Sequence, residues 1–262
     1  MTTAPSATRT ALVTGAAVGL GRTIADRLAR AGDRVALLDV DAGRLAQAEE
    51  ELCGEGHDVV AVTCDVRDRD AVEAAVAQVV DRWGGLDVAV SNAGVAGARL
   101  LLDMDAEEWH RVVDINLTGT FHVITAAARA MIATGGGGAI CCISSGAALF
   151  ARPAAGHYCT SKAGVLMLAK ALALETGRDG VRVNVVTPGL VDHGYREGLG
   201  EFVPAAYAQM MRDNTPMGRL GTADEVADAV QFLCSAQAEF VTGAVLSVDG
   251  GSSAGKYTVP WG

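Results

Sequence analysis

Short apolar runs recur along the chain at 10–14, 34–39, 59–64, 86–91, 139–144, 182–186 and 244–249. Most are continuously apolar rather than alternating, the pattern of strands covered on both faces. Between them lie stretches with apolar residues at helical spacing, at 19–31, 42–54, 68–83, 105–133, 157–177 and 222–234. Asp105 with Glu108, and Thr222 with Glu225, have the spacing of capping boxes at two of those starts. The alternation predicts one α/β domain over residues 1–262, a Rossmann-like doubly wound parallel sheet of about seven strands with helices on both faces. No linker, repeat or low-complexity run divides it, and the glycines at 135–138 read as a tight helix-to-strand connection.

One segment breaks the rhythm. Residues about 192–218 insert glycines, prolines and an apolar set (Phe202, Val203, Tyr207, Met210, Met211) between a strand and a helix. An excursion from the carboxyl end of a strand lies where such sheets bind ligands, so it is expected to be a mobile substrate lid. The tail at 252–262 contains Tyr257, Val259, Pro260 and Trp261, unlike a disordered end, and is expected to dock at a subunit interface.

Composition excludes more than it assigns. Lys plus Arg number 21 against 31 Asp plus Glu, a net charge of −10, which argues against nucleic acid or an anionic membrane as partner. The cysteines Cys53, Cys64, Cys141, Cys142, Cys159 and Cys234 form no C-x-x-C pair, and adjacent strand positions such as Cys141 and Cys142 face opposite sides. They read as small core residues in a reducing compartment, with no metal site. No signal-peptide core or run of transmembrane length is present, and a cytoplasmic protein is expected.

The first strand runs into Gly15, Gly19 and Gly21, spaced G-x-x-x-G-x-G, and then into an amphipathic helix. Glycine permits the tight turn and a close approach of pyrophosphate to the helix N-terminus. Asp39 ends the second strand 20 residues after Gly19, where a carboxylate would accept from ribose hydroxyls and repel a 2′-phosphate. Neither Val18 nor Val40 is basic, and Arg22 and Arg44 fit exposed helix positions, so NAD is expected over NADP. Tyr158 and Lys162 lie one turn apart on a predicted helix, which would let the ammonium lower the phenol's pKa. The spacing alone also fits coincidence.

These residues together resemble the short-chain dehydrogenases/reductases, in their single-domain branch. The resemblance runs from "TALVTGAAVGLG" through "CDV" (64–66), "SNAG" (91–94), "INLTG" (115–119), "ISSG" (143–146), "YCTSK" (158–162), "NVVTPG" (184–189) and "GRLGTADEVA" (218–227) to "FVTGAVLSVDGG". It implies an enzyme moving hydride between a nicotinamide and a secondary alcohol or ketone, with Tyr158 as acid/base and Lys162 on the nicotinamide ribose. Ser145, 13 residues before Tyr158, is implied to bond the substrate oxygen, ahead of Ser144. Asn116 is implied to hold a relay water on its carbonyl while its amide pins a helix distortion. Gly15, Gly19, Leu20 and Gly21 are implied at the pyrophosphate, Asp39 at the ribose, and Asp65 and Val66 at the adenine. Asn92, Ala93 and Gly94 would pass under the adenosine half, with Pro188, Gly189 and Val191 beside the nicotinamide.

The chain departs from the family's pattern at His193, where many members carry threonine, and at Ala148, where many carry glycine. Leu149, Phe150, Phe202, Tyr207 and Met210, with Arg99 and Arg152 as polar anchors, imply a moderately apolar, cyclic or polyol-like substrate. A homotetramer pairing the helices at 105–133 and 157–177 is implied as well. A 3-oxoacyl-thioester reductase using NADPH and a non-catalytic dinucleotide sensor are the alternatives. A sugar-nucleotide epimerase or dehydratase would need a larger C-terminal domain and other glycine spacing.

Overall fold

The computed structural model describes residues 8–192 and 205–255. Seven parallel strands form the central sheet: β1 Thr10–Thr14, β2 Arg34–Asp39, β3 Val59–Thr63, β4 Val88–Ser91, β5 Gly138–Ile143, β6 Val181–Pro188 and β9 Val245–Val248. Their order is β3-β2-β1-β4-β5-β6-β9, so the winding reverses between β1 and β4. In such sheets ligands bind beyond the carboxyl ends of the strands at that reversal. A two-residue parallel ladder, β7 Val191–Asp192 with β8 Gly221–Thr222, ties together the two ends of the chain excursion at 193–220.

The helices are α1 Gly19–Arg30, α2 Ala42–Gly54, α3 Arg69–Trp83, α4 Ala106–Val113, α5 Gly119–Thr134, α6 Gly156–Thr176, α7 Ala205–Asp213 and α8 Ala223–Leu233. Strand side chains alternate between two cores. Leu12, Ala36, Leu38, Cys142 and Val183 pack on one face with residues of α3, α5 and α6. Ala11, Val13, Val35, Leu37, Cys141 and Val186 pack on the other with residues of α1, α2 and α8. Burying a leucine such as Leu12 or Leu37 contributes about 2 kcal/mol, whereas an exposed pair such as Arg30–Glu55 contributes under ~1 kcal/mol. Apolar burial therefore holds the layers.

Several expectations change in detail. The helix predicted over 105–133 is interrupted by a π turn at Asp114–Thr118, because the Asn116 amide is drawn off to bond a neighbouring loop. Thr222 and Glu225 close a full capping box. Asp105 caps Glu108 N–H, but the Glu108 carboxylate turns to Arg111 and His157 instead of reaching back. The segment read as a lid contains α7, while His193, Phe202 and Val203 lie outside the described residues, as do Tyr257, Val259, Pro260 and Trp261 of the tail. Cys53 is exposed on α2, against the expectation of six core cysteines, and the other five are buried and free. Cys141 and Cys142 point into opposite cores. Among the described residues no group of side chains could hold a metal ion, and no helix is long and apolar enough to cross a membrane.

Candidate active site

Parallel register delivers the predicted residues to one edge of the sheet. Thr14 aligns with Leu38, which sets Gly15 beside Asp39, and Ser91 aligns with Cys142, which sets Asn92–Gly94 beside Ser144–Ser145. The glycine turn is packed backbone against backbone. A Cβ on Gly21 would lie 2.0 Å from the Gly15 carbonyl oxygen, and one on Gly15 would lie 2.9 Å from Asn92 Nδ2, so both positions are closed to side chains. Gly19 differs: its φ is +59° and a Cβ there would meet nothing within 4 Å, so the missing side chain leaves open space over the first turn of α1. No side chain caps that turn and no acidic residue lies in it.

This cradle fits a pyrophosphate. Asn92 holds it in place, donating from Nδ2 to the Thr14 (2.9 Å) and Gly15 (3.3 Å) carbonyls. Thr14 Oγ1 accepts from the Asn92 and Ala93 N–H groups. Leu20 sits in the same first turn. The Asp39 carboxylate accepts from Ala17 N–H and Asp41 N–H, both at 3.1 Å, which keeps it at the rim of the cradle.

Arg22 corrects the sequence reading. It is buried, with Nε 2.6 Å from Asp26 and a terminal nitrogen 3.1 Å from Glu51. Arg44 is half-buried, 3.6 Å from the Asp41 carboxylate. Asp65, expected at the adenine, is held by Arg67, which keeps its carboxyl below the usual range. Val66 is buried with its side chain against Gly119, and its carbonyl meets His122 Nδ1 at 3.0 Å.

The second half of the site gathers around the start of α6. Ser144 and Ser145 diverge, as neighbouring positions at a strand end do. Ser144 Oγ donates to the Lys162 carbonyl at 2.8 Å inside the protein. Ser145 faces the cleft, where its hydroxyl bonds the Tyr158 phenol and favours the ionised form. Burial outweighs that bond and raises the phenol above its usual value. The Lys162 ammonium lies 6.0 Å from the Tyr158 ring centroid and donates to the Ile143 carbonyl at 3.0 Å. The lowering expected from Lys162 alone is thus not realised, because the ammonium is bonded to β5 rather than to the phenol. Burial in turn brings Lys162 down to about 8.

Asn116 explains its own position. Its side chain accepts from Val95 N–H (2.8 Å) and donates to the Val95 carbonyl (2.9 Å) and to Ser161 Oγ (3.2 Å). Its carbonyl accepts from the Thr120 hydroxyl at 2.8 Å. Gly94 lets this loop press close: a Cβ there would lie 3.2 Å from Asn116 Oδ1 and 3.3 Å from Lys162 Nζ. Pro188 ends β6 with its carbonyl toward Gly146, Gly189 packs against Asp249, and Val191 is buried in the β7–β8 ladder.

Three structural contributors escaped the sequence reading. Thr14 straps the glycine turn to the Asn92 loop, and Ser144 locks α6 to β5. His157, fully buried beside Tyr158, meets Glu108 at 3.1 Å, and Glu108 is also held by Arg111 at 2.7 Å. Arg111 further donates to the Ala96 carbonyl, so the cluster fixes both the loop after β4 and the start of α6. Single polar residues scattered over four elements carry no sequence pattern that could have marked them.

Of the expected pocket residues, Leu149, Phe150 and Met210 are exposed, and Ala148 lies in a short 3-10 turn. Arg99 is exposed, its N–H bonded to the Ala154 carbonyl. Arg152 reaches inward to the Tyr207 hydroxyl.

A family model described as enoyl-(acyl carrier protein) reductase matches residues 15–253. The chain is 37% identical over 245 residues to the 3-oxoacyl-(acyl-carrier-protein) reductase FabG of Staphylococcus aureus, covering 93% of this chain and 98% of that protein. It is 39% identical over 248 residues to L-rhamnose 1-dehydrogenase (NAD(P)(+)) of Azotobacter vinelandii, covering 93% and 96%. A solved gluconate 5-dehydrogenase from Burkholderia cenocepacia, in complex with NADP and tartrate, superposes with a TM-score of 0.88 at 34% identity, covering 94% and 96%.

Proposed function

The chain belongs to the short-chain dehydrogenase/reductase family of nicotinamide-dependent oxidoreductases, and from that premise we propose that it interconverts a secondary alcohol and a ketone using NAD(H). The observation that carries this reading is the meeting of Ser145, Tyr158 and Lys162 at the end of β5, with only Gly94 between the lysine and the loop that braces the cradle. Chemistry and cofactor geometry then share one cleft.

A bound nicotinamide supplies or accepts the hydride. The protein manages the proton. Tyr158 holds it at the phenol oxygen, where burial keeps it at neutral pH, and gives it to the carbonyl oxygen in reduction. Ser145 donates to that oxygen and stabilises the charge that builds on it. In oxidation the Tyr158 phenolate, the form that the Ser145 hydroxyl favours, takes the proton from the alcohol. Asn116 positions the loop and Ser161 beneath this pair.

NAD rather than NADP is supported by Asp39 at the cradle rim and by Arg22, whose charge is already taken by Asp26 and Glu51. A 3-oxoacyl-thioester reductase using NADPH is the second reading, favoured by the similarity to the Staphylococcus aureus enzyme. The sensor reading would waste an assembled Ser–Tyr–Lys group. A cytoplasmic location completes the proposal. A homotetramer is supported by exposed apolar side chains on α5 and α6, Phe121, Met167 and Leu174.

The test is titration of the purified protein with NADH and NADPH by fluorescence, followed by secondary alcohols and ketones with the preferred cofactor. NADH is expected to bind at least about tenfold tighter. Tighter NADPH binding would remove Asp39 as selector and put the thioester reductase first.

A further inference from the structure

Arg152 is an arginine at the catalytic phenol with no carboxylate partner among the described residues. Its guanidinium carbon lies 5.8 Å from the Tyr158 ring centroid. One terminal nitrogen donates to the Tyr207 hydroxyl on α7, and Nε is buried with no partner among the described residues. Arg9, Arg22, Arg27 and Arg111 each hold a carboxylate. Arg152 holds none among the described residues. Arg182 also lacks one, but the Leu233, Ser235 and Val241 carbonyls satisfy it. Arg34 shares an orphaned Nε, at the opposite end of the sheet and beside Trp83.

A half-buried guanidinium with an unmet N–H is costly unless something completes it. Water or a neutral hydroxyl completes it poorly, whereas a carboxylate takes the fork of two N–H groups in one plane. Leu149 and Phe150 precede Arg152 in the same segment and leave apolar surface exposed there.

We propose that Arg152 anchors a substrate carboxylate, so that the alcohol or ketone this chain acts on is a hydroxy acid or its oxo counterpart with an apolar body. The inference rests on the oxidoreductase reading and narrows its substrate class. The reaction is balanced without the acid group: the secondary C–H gives its hydride to the nicotinamide, the O–H gives its proton to Tyr158, and the carboxylate leaves as it entered. Its part is to set the reacting carbon against Tyr158 and Ser145. On binding, the Tyr207 hydroxyl shares the guanidinium with the carboxylate, which draws α7 and the substrate together.

The experiment uses straight-chain 3-hydroxy acids of four to six carbons and their methyl esters, about equal in shape and different in charge. For the native protein, kcat/KM with the acid is expected to exceed that with the ester by about ten- to hundredfold, the worth of a charged hydrogen-bonded pair. Arg152→Gln is expected to bring the ratio to about one, and Arg152→Lys to keep an acid preference. An ester preferred by the native protein, or a ratio that survives in Arg152→Gln, overturns the inference and leaves the dehydrogenase reading standing. NADH titration of all three proteins separates a folding or cofactor defect from loss of the anchor. If neither acid nor ester turns over, the dehydrogenase reading is judged by the wider panel of alcohols and ketones, and calorimetry of 3-hydroxybutyrate with the NADH-loaded proteins decides about Arg152 by itself. Binding to the native protein that is lost in Arg152→Gln sustains the anchor, and absence of binding to the native protein ends it.

Discussion

The two halves of the cleft are built differently. On the dinucleotide side, backbone meets backbone: Gly15 against Gly21, Asn92 against Thr14 and Gly15, Asp39 against Ala17. Of the three glycines there, Gly19 alone opens onto free space. On the substrate side, long side chains meet across separate elements, with Arg152 reaching Tyr207 and with Leu149, Phe150 and Met210 exposed. A site that binds the same cofactor in every cycle gains from a fixed cradle. Substrate selection falls to side chains on segments that tolerate change.

Replacing Tyr158 by Phe gives the largest separation of the halves. Activity is expected to fall by about a thousandfold or more, since a positioned acid/base contributes on the order of 10²–10⁴, while NADH binding by fluorescence stays near the native value. Loss of NADH binding would show that the halves are not independent. Gly21→Ala is next, from the other side. Its Cβ would meet the Gly15 carbonyl, so thermal denaturation is expected to show a loss of about 1–3 kcal/mol together with weaker NADH binding. Gly19→Ala is expected to cost about 1 kcal/mol for its φ of +59° and to weaken NADH binding out of proportion to that, because its methyl enters the open space. Equal effects on stability from both would erase the distinction between a packed and an open glycine.

A pH dependence is expected at the seam between the halves. Lys162 is held near 8 in the folded chain, against 10.5 when unfolded, so between those values the unfolded chain binds more protons and stability rises with pH. Below about 8 the buried charge costs up to roughly 3 kcal/mol, offset in part by its bond to the Ile143 carbonyl. Denaturant melts of native protein and Lys162→Met should therefore differ most in the variant's favour near pH 7 and converge toward pH 10.5. A difference independent of pH would mean that Lys162 keeps its charge on folding without penalty.

The sheet was legible because fully covered strands must be apolar, and the runs at 10–14, 34–39 and 139–144 match strands to within a residue. The glycine turn was legible because only glycine tolerates the approach of Gly15 to Gly21. The π turn at Asp114–Thr118 was not, since it depends on what Asn116 finds across space at Val95 and Ser161. The exposure of Arg22 was misread for the same reason: its helix position looked ordinary until Glu51 of α2 came within 3.1 Å.

By itself, then, the order of residues determined the strands, the crossovers and the local chemistry of each turn, all properties of near neighbours. Tertiary structure decided which of two adjacent serines faces the cleft, where the Lys162 ammonium is bonded, and which arginine comes to lie over the phenol. Those depend on how far apart in space two distant segments come to rest, and no local pattern encodes a distance.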